Sequence, residues 1–315
     1  MKVLLAKNRC LFLFWFILYC LFFVVGCEWF CVRGYVYLVF CVVFVWVVVV
    51  FPRWVWDYVR SVGGEVVADV RGWRFDVVGS RFLARPSISD VSSPCPSKRD
   101  VWLRRVVRVR VDGGVFVFGR AVHDVFLYPF RFRDRDVVDI VRGFEKMFHG
   151  FDPMLRGYRS FFRKLFRKAL SLAMYSNEDG VPISVEPMIP GAAIGLSDFV
   201  KPDLLVGFLP VDISLASVSE RVFERKEIAL AGYALAIESW IGHPVDFAVA
   251  LYIGIVDGDN PVLSWRIVRI DDNLRRAFLE ARDRVAMILE HGEEPPIPDN
   301  CYSSCPYSVF CGGKR

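Results

Sequence analysis

Three cysteines near the carboxyl end of the sequence have a spacing that suits a shared metal centre. Cys301, Cys305 and Cys311 place three thiols within eleven residues. A tetrahedral zinc site or an iron-sulfur cluster commonly uses four such ligands. Cys95 is the one other cysteine outside the apolar amino-terminal region, so it is the candidate fourth ligand. Such a centre would fasten the start of the domain to its end. Unrelated buried thiols remain an alternative, and spacing alone does not choose between zinc and iron.

A second group consists of two aspartates and a histidine. Asp203 begins a predicted strand, and Asp212 lies in the strand that follows. Two acids on neighbouring strands can point into one site, and Mg²⁺ or Mn²⁺ prefers such oxygen ligands. His123 is one of four histidines and falls on a predicted helix. Taken singly, each residue has a structural interpretation, since helical histidines often pack and strand aspartates often cap.

A stripe of arginines is predicted on the helix near residues 156–168. Its members are Arg156, Arg159, Arg163 and Arg167. They recur at helical spacing, whereas Phe162, Leu165 and Phe166 turn inward. Attraction to DNA phosphates is one interpretation, and a solvated helix face is the other. The net charge of +5 is too modest to decide between them.

The first half of the chain after residue 53 is predicted to be mainly helical. Residues 54–94 read as a helical stretch followed by a loop, and Cys95-Pro96 opens a further helix. A β-hairpin is predicted across residues 106–118, around the turn Asp112-Gly113-Gly114. Helices follow from Gly119 to Asn177, with a break near residues 150–153.

In the second half of the sequence, the spacing of the hydrophobic residues changes from one typical of helices to one that includes strands. Short strands separated by proline and glycine are predicted at residues 182–188, 193–197, 203–209 and 211–214. One helix is predicted over 221–241 and another over 272–291, with strands at 245–256 and 262–270 between them. A proline-rich linker then leads into the cysteine tail. This order of elements indicates an α/β core with a mixed sheet.

The amino-terminal region, residues 1–52, differs from the rest in composition. Residues 10–26 and 35–51 are apolar runs of 17 residues, near the shortest length that spans a bilayer. The flanking lysines and arginines predict a membrane hairpin with residues 53–315 in the cytoplasm. The alternative is a mis-called translation start, because most residue types here can be encoded by G and T alone. In either case 53–315 is expected to form one domain, and its cysteine content fits the cytosol.

Several segments together resemble the RecB-like nucleases of the PD-(D/E)xK superfamily. They are Arg71-Gly72-Trp73, the segment from Cys95 to Arg104, His123, Pro202-Asp203, Val211-Asp212 and the segment from Ala229 to Ser239. The group that they resemble is the CRISPR-associated exonuclease family called Cas-four, in its archaeal Csa-one form. The resemblance covers roughly residues 55–315 and excludes the apolar leader.

The resemblance implies a RecB-like core with a mixed sheet flanked by helices, a helical insertion and a cysteine-ligated iron-sulfur clasp. His123, Asp203 and Asp212 would hold Mg²⁺ or Mn²⁺, and Tyr233 would match the tyrosine of the helix motif. Cys95, Cys301, Cys305 and Cys311 would hold a 4Fe-4S cluster. The implied activity is metal-assisted hydrolysis of single-stranded or overhanging DNA ends, which prepares them for integration as spacers. The implied partners are DNA and the CRISPR integrase proteins.

One departure from the family pattern bears on activity. The pattern expects an acid, any residue and then lysine, but this chain has Asp212-Ile213-Ser214. Lys226 is a candidate substitute, because it precedes Tyr233 by seven residues and lies on nearly the same helix face. If Lys226 does not reach the metal, the chain would be a weak or inactive iron-sulfur DNA-binding or scaffold subunit of the adaptation complex. A membrane-tethered protein is a third alternative, which depends on the leader.

Overall fold

The structure is a computed structural model that describes residues 68–111, 114–178, 182–215, 220–299, 301 and 305–312. All of these residues belong to one unit of the chain, Phe51–Arg315. The predicted apolar leader, residues 1–52, lies outside the described residues. Across the described ranges, no helix has the length and apolar character needed to cross a membrane.

Within the described residues, three short helices come before the first long one. They are α1 (Phe75–Val78), α2 (Ile88–Val91) and α3 (Arg99–Arg105). For residues 54–94 a helical stretch followed by a loop is predicted, and the described part of that stretch contains only the single turn α1, which Gly79 ends. A reciprocal pair of hydrogen bonds between Ser87 and Asp90 caps α2. Lys98 has a φ of 61°, so α3 begins at Arg99, later than the Cys95-Pro96 pattern predicts.

The β-hairpin predicted across residues 106–118 is wrong. The segment after the expected turn forms the start of α4 (Gly114–Arg131), and residues 106–111 contain no strand. Valine and phenylalanine favour strands by their intrinsic propensity, but packing commonly overrides that preference. Here they continue into a helix that buries Val122, Val125 and Phe126 on one face. The turn residues 112 and 113 lie outside the described residues.

The helical region predicted from Gly119 onward is confirmed. After α4 come α5 (Val137–His149), a 3₁₀ turn (Pro153–Tyr158) and α6 (Arg159–Glu178). The chain breaks between α5 and α6 near the predicted position, where the Asp152 carboxylate caps the 3₁₀ turn by accepting from the backbone N–H of Met154. Phenylalanines join these helices, and Phe144 stacks on Phe166 with ring centroids 3.9 Å apart.

A five-stranded sheet lies between the helices of the described part of the chain. Its strands, in spatial order, are β1 (Ile183–Val185), β4 (Leu204–Val206), β5 (Leu209–Leu215), β6 (Phe247–Val256) and β7 (Asn260–Arg269). Only β5 and β6 run parallel among these five, and the others pair antiparallel, so the predicted mixed sheet is confirmed. The crossover from β5 to β6 passes through α7 (Glu220–Ile241), close to the predicted bounds.

A separate two-stranded ribbon precedes β4 in the chain. It consists of β2 (Ile189–Pro190) and β3 (Phe199–Val200). The strand predicted at 193–197 is wrong, since Ala192–Ile194 is a 3₁₀ turn. Gly195 follows it with a φ of 70°, and a Cβ on Gly195 would lie 2.3 Å from the Cβ of Ser80. This left-handed, crowded position ends any extended run.

Helices cover both faces of the sheet and divide the core in two. Helices α4 to α6 pack on the face that carries Val211 and Ile213. Helix α7 and the last helix, α8 (Asp272–His291), pack on the face that carries Ala250 and Tyr252. The predicted bounds of α8 are confirmed. Because side chains alternate along a strand, Asp212 and Ser214 of β5 point toward α7.

A buried ion network explains part of the sequence resemblance. The carboxylate of Glu238, fully buried in α7, accepts hydrogen bonds from Arg71 at 2.9 Å and from Arg275 at 2.7 Å. It also accepts one from the backbone N–H of Gly72 at 2.8 Å. A Cβ at Gly72 would lie 2.1 Å from the carbonyl oxygen of Leu235, so only glycine fits against α7 there. The Arg71-Gly72 motif therefore has a structural role.

Candidate active site and cysteine cluster

Asp203 and Asp212 face each other across the β4–β5 hairpin. The register pairs Leu204 with Val211 at the end of the ladder, and continuing it by one residue places Asp203 opposite Asp212. Directly opposed residues of an antiparallel pair have Cβ atoms about 5 Å apart. The Oδ2 atom of Asp203 accepts a hydrogen bond from the backbone N–H of Ile213 at 2.6 Å, which ties the two strands at this point. The structure thus brings these two acids close to each other.

His123 reaches the same place from α4, which packs beside β1 and β5. Its Nδ1 atom lies 3.3 Å from Oδ1 of Asp203. Burial alone would lower the pKa of His123, but the hydrogen bond to Asp203 and the charges of Asp203 and Asp212 raise it above the usual value. The histidine is thus held among negative groups.

Lys226 approaches from α7, on the other side of the hairpin. Its Nζ atom forms an ion pair with the carboxylate of Asp212 and donates to the carbonyl oxygen of Ile213 at 3.1 Å. Burial raises the pKa of Asp212, while Lys226 opposes that rise and Asp203 adds to it. Ser214 points to the same side of β5 as Asp212, so Lys226 brings a cation to the side where the motif lysine is missing.

Tyr233 lies further along α7 and is buried. Its hydroxyl donates to the carbonyl oxygen of Lys201 at 3.1 Å. Burial, with the charges of Asp212 and Asp203, raises the pKa of Tyr233 well above its ordinary value, so the hydroxyl keeps its proton. In the structure Tyr233 therefore holds the backbone two residues before Asp203, which is a positioning contact.

The donor types at this site suit a divalent cation. Imidazole and carboxylate groups are common metal ligands, and His123, Asp203 and Asp212 lie within electrostatic reach of one another. Each carboxylate, however, is turned to a protein partner, Asp203 to Ile213 and Asp212 to Lys226. Within the described part of the chain, no three His, Cys, Asp or Glu side chains lie close enough together to hold a metal as they stand. The residues fit a cation in type and neighbourhood, and closed coordination requires side-chain movement.

The four candidate cluster cysteines share one neighbourhood. Cys95 and Cys305 are buried, Cys311 is half-buried and Cys301 is exposed, and all four are free thiols. Desolvation raises the pKa of Cys301, and the nearby thiols of Cys305, Cys311 and Cys95 raise it further. Cys305 and Cys311 pack with Leu103 of α3. The thiols are thus gathered around α3, without forming a closed ligand group among the described residues.

Direct protein contacts also fasten the carboxyl-terminal segment to α3. The Arg99 guanidinium donates to the carbonyl oxygen of Pro295 at 2.7 Å and forms an ion pair with Glu294. The indole N–H of Trp102 donates to the carbonyl oxygen of Gly292 at 2.9 Å. The segment predicted as a linker is therefore bound along α3, which brings the two ends of the domain together.

Comparison with known proteins connects this arrangement to a family. The sequence matches the family described as CRISPR-associated exonuclease Csa1 over residues 48–139 and 144–314. The chain belongs to the Csa1 family. It is 25% identical to the CRISPR-associated exonuclease Csa1 of Saccharolobus solfataricus over 283 residues, which cover 80% of this chain and 94% of that protein. It is 27% identical to the protein of the same name from Thermoproteus tenax over 270 residues, or 78% and 92% of the two chains. The resemblance inferred from the motifs is confirmed.

In this Csa1-family chain, the positive charge of the arginine stripe is partly neutralised by an acidic residue. Arg156 lies in the 3₁₀ turn before α6, and Arg159 is the first residue of that helix. Arg163 donates two hydrogen bonds to Glu145 of α5, at 2.9 and 2.8 Å. Arg167 is exposed. The inward orientation of the phenylalanines is confirmed, but the sequence pattern could not show that Glu145 lies beside the stripe.

A further residue, Glu186, lies at the site of this Csa1-family chain and is not marked by any motif. The backbone N–H of Glu186 donates to the carbonyl oxygen of Asp203 at 3.0 Å and continues the β1–β4 ladder. Glu186 has a φ of 46°, and its carboxylate forms an ion pair with Arg131 of α4. It therefore links the strand that carries Asp203 to the helix that carries His123. This link depends on strand register, for which the sequence holds no local signal.

Proposed function

We propose that this member of the Csa1 family is a divalent-metal-dependent DNA exonuclease, which processes DNA ends for spacer acquisition in the cytoplasm. Its partners would be DNA and the CRISPR integrase proteins of the adaptation complex. The observation that carries the proposal is the pairing of Asp203 with Asp212, flanked by His123 on one side and Lys226 on the other. The names of the family and of its relatives support the nuclease assignment.

His123, Asp203 and Asp212 would hold one Mg²⁺ or Mn²⁺ ion in a core of the PD-(D/E)xK type. Bound there, the ion would supply polarisation of the scissile phosphate and a lower pKa for the attacking water. The Lys226 ammonium group would offset negative charge that develops on the phosphate. Tyr233 would keep Asp203 in place through the backbone of Lys201.

The position of Lys226 favours an active enzyme over an inactive scaffold subunit. Ser214 cannot supply a positive charge, and on this ground alone the scaffold alternative would gain. Lys226, however, contacts the carboxylate of Asp212 and the carbonyl of Ile213, which lie beside Ser214 in β5. A cation provided by the helix would thus perform the function of the strand lysine.

The four cysteines would hold a structural 4Fe-4S cluster. The support is their shared neighbourhood at α3 and the thiolate chemistry of such clusters. The cluster would reinforce the contacts that already bind residues 292–295 to α3. The exposed arginines of the stripe would attract the DNA backbone, with Arg159 and Arg163 contributing less because both pair with Glu145.

A cleavage assay tests the proposed function. The full chain is incubated with end-labelled single-stranded DNA and either Mn²⁺ or Mg²⁺, and products are resolved over time. Stepwise shortening is expected for the parent, with activity abolished in Asp203→Asn and Asp212→Asn. Asp198→Asn is the matched control, because Asp198 is an exposed acid that pairs with Arg85. Failure of the parent to shorten DNA with either metal contradicts the proposal.

A further inference from the structure

The β2–β3 ribbon has a buried face and an exposed face. Ile189 and Val200 are a register pair that points into the core, with 0% and 3% exposure. Their neighbours point outward, as strand alternation requires. The outward side chains are Met188, Pro190, Phe199 and Lys201. Pro190 pairs with Phe199, and continuing the ladder places Met188 opposite Lys201. An apolar and basic surface is therefore assembled on one side of the ribbon.

This exposed face adjoins the candidate active site. Strand β3 leads through Lys201 and Pro202 directly to Asp203. Phe199 precedes Asp203 by four residues, so their Cα atoms lie within about 14 Å of each other. A strand of a few nucleotides is therefore long enough to reach from Phe199 to Asp203.

The ribbon is fixed at both ends. Near the site, the hydroxyl of Tyr233 binds the carbonyl oxygen of Lys201. At the far end, Arg282 donates to the carbonyl oxygen of Ile194 at 2.7 Å. The backbone N–H of Gly191 also donates to the carbonyl oxygen of Asp198 at 2.9 Å. The backbone that carries the exposed side chains is thus fixed by hydrogen bonds to the rest of the domain.

The side chains on this face suit one kind of ligand. Phe199 is 49% exposed and Met188 is 55% exposed, and they occupy diagonal positions on the two strands of the ribbon, within reach of each other. Among the described residues, no carboxylate forms an ion pair with Lys201, and the adjacent Asp198 is paired with Arg85. An aromatic ring beside a lysine matches the base and the phosphate of a nucleotide. In a duplex the bases already stack on each other, so an unpaired strand is required.

We propose that the exposed face of the β2–β3 ribbon binds unpaired DNA next to the scissile phosphate. This inference rests on the proposed nuclease function and adds the place where the strand lies. A base stacks on Phe199, Met188 packs beside it, and Lys201 binds a backbone phosphate. The contact selects unpaired DNA a few nucleotides from the acids, so that an end must be single-stranded to reach them.

Binding without cleavage tests this inference. The full chain is titrated into a fluorescent single-stranded oligonucleotide and into the matching blunt duplex, in EDTA, and anisotropy is recorded. Phe199→Ala is expected to weaken single-strand binding about tenfold, in line with the loss of one stacked base. Phe199→Leu, which keeps apolar bulk, is expected to lose most of the same affinity. Lys201→Ala is expected to reduce the slope of log affinity against log salt concentration by the equivalent of about one phosphate contact.

Matched controls are available in the same chain. Phe208 is 57% exposed but lies in the β4–β5 turn, at the end of the hairpin away from Asp203. Phe208→Ala is expected to bind within about twofold of the parent. Arg276→Ala removes an exposed cation from α8 and is expected to leave the affinity for the single strand nearly unchanged. Thermal unfolding of every variant verifies that the fold is retained.

The outcomes separate this inference from the proposed function. Equal single-strand affinity of Phe199→Ala, Phe208→Ala and the parent overturns the ribbon contact, even if the parent cleaves DNA with Mn²⁺. A parent that binds single strands through Phe199 but cleaves none overturns the nuclease function and leaves the ribbon contact standing. A parent that binds the duplex as tightly as the single strand also overturns the ribbon contact.

Discussion

Lys226 of α7 forms an ion pair with Asp212 of β5, so a helix supplies a cation beside a strand motif that lacks its lysine. Ser214 points to the same side of β5, toward α7. The Asp212 carboxylate, the serine that stands in place of the motif lysine and the Lys226 ammonium group therefore lie close together. This relationship leads to the first prediction.

Lys226→Met is expected to reduce the rate of DNA cleavage about 100-fold or more, since a preorganised charge at the reacting phosphate is lost. Single-turnover kinetics at saturating Mn²⁺ measure the effect. The double variant Lys226→Met with Ser214→Lys is expected to recover part of the rate, because it returns the cation from the strand. An unchanged rate in Lys226→Met would show that this lysine has no part in the chemistry.

The buried network around Glu238 predicts a large effect on stability. Glu238→Ala would remove one of the two carboxylates that the buried Arg71 and Arg275 share, the other being Asp246, and loss of one member of a buried ion network typically destabilises by about 3–5 kcal/mol. Denaturant unfolding of the parent and the variant measures it. Glu280→Ala, at an exposed position of α8, is the control and should change the free energy of unfolding by less than about 0.5 kcal/mol. Equal effects at the two positions would refute the structural role of the network.

Asp272 predicts a pH-dependent contribution to stability. Burial would raise the pKa of its carboxyl group, but the backbone N–H groups of Asp69 and Val70 lower it below the usual value. A group with a depressed folded pKa stabilises the protein above its unfolded pKa, about 3.9. That contribution disappears as the pH falls through the folded value. The stability difference between the parent and Asp272→Asn should therefore be constant near neutral pH and shrink below about pH 4. A difference that grows on acidification would contradict the assignment.

If the four cysteines hold one cluster, substitution of Cys95 should have the same effect as substitution of Cys305, although the two lie far apart in the sequence. Iron and acid-labile sulfide should co-purify with the full chain, and Cys95→Ser and Cys305→Ser should each remove the visible absorbance of the cluster. Both variants should also unfold at lower temperature, since metal binding contributes folding free energy. If the parent is colourless and contains stoichiometric zinc, the four cysteines hold zinc, and the assignment of an iron-sulfur cluster is contradicted.

The sequence predicted elements best where one period continued over a long segment. Helices α7 and α8 were predicted close to their observed bounds, because each has a long run without proline and good helix formers. The valines and phenylalanines of residues 115–118 predict a strand, yet these residues lie in α4, where Phe118 packs against Phe161 and Phe162 of α6, far away in the sequence. Short strands such as β2 and β3 depend on each other and carry little local pattern.

In the candidate site, too, some residues can be predicted from the sequence, whereas several of their contacts cannot. Asp203 and Asp212 could be found because acids interrupt apolar strands, and Lys226 could be proposed because helical spacing relates it to Tyr233. The contact of Tyr233 with Lys201, the link from Glu186 to Arg131 and the exposure of Phe199 depend on strand register and on how α4 and α7 pack. No local pattern in the sequence encodes those relationships.

The central claim is that His123, Asp203 and Asp212 bind one divalent ion. Titration of the full chain with Mn²⁺, followed by electron paramagnetic resonance of the free ion, tests it most directly. We expect one bound Mn²⁺ per chain in the parent, lost in Asp212→Asn and retained in Asp198→Asn. Binding that is absent from the parent, or unchanged in Asp212→Asn, would contradict the claim.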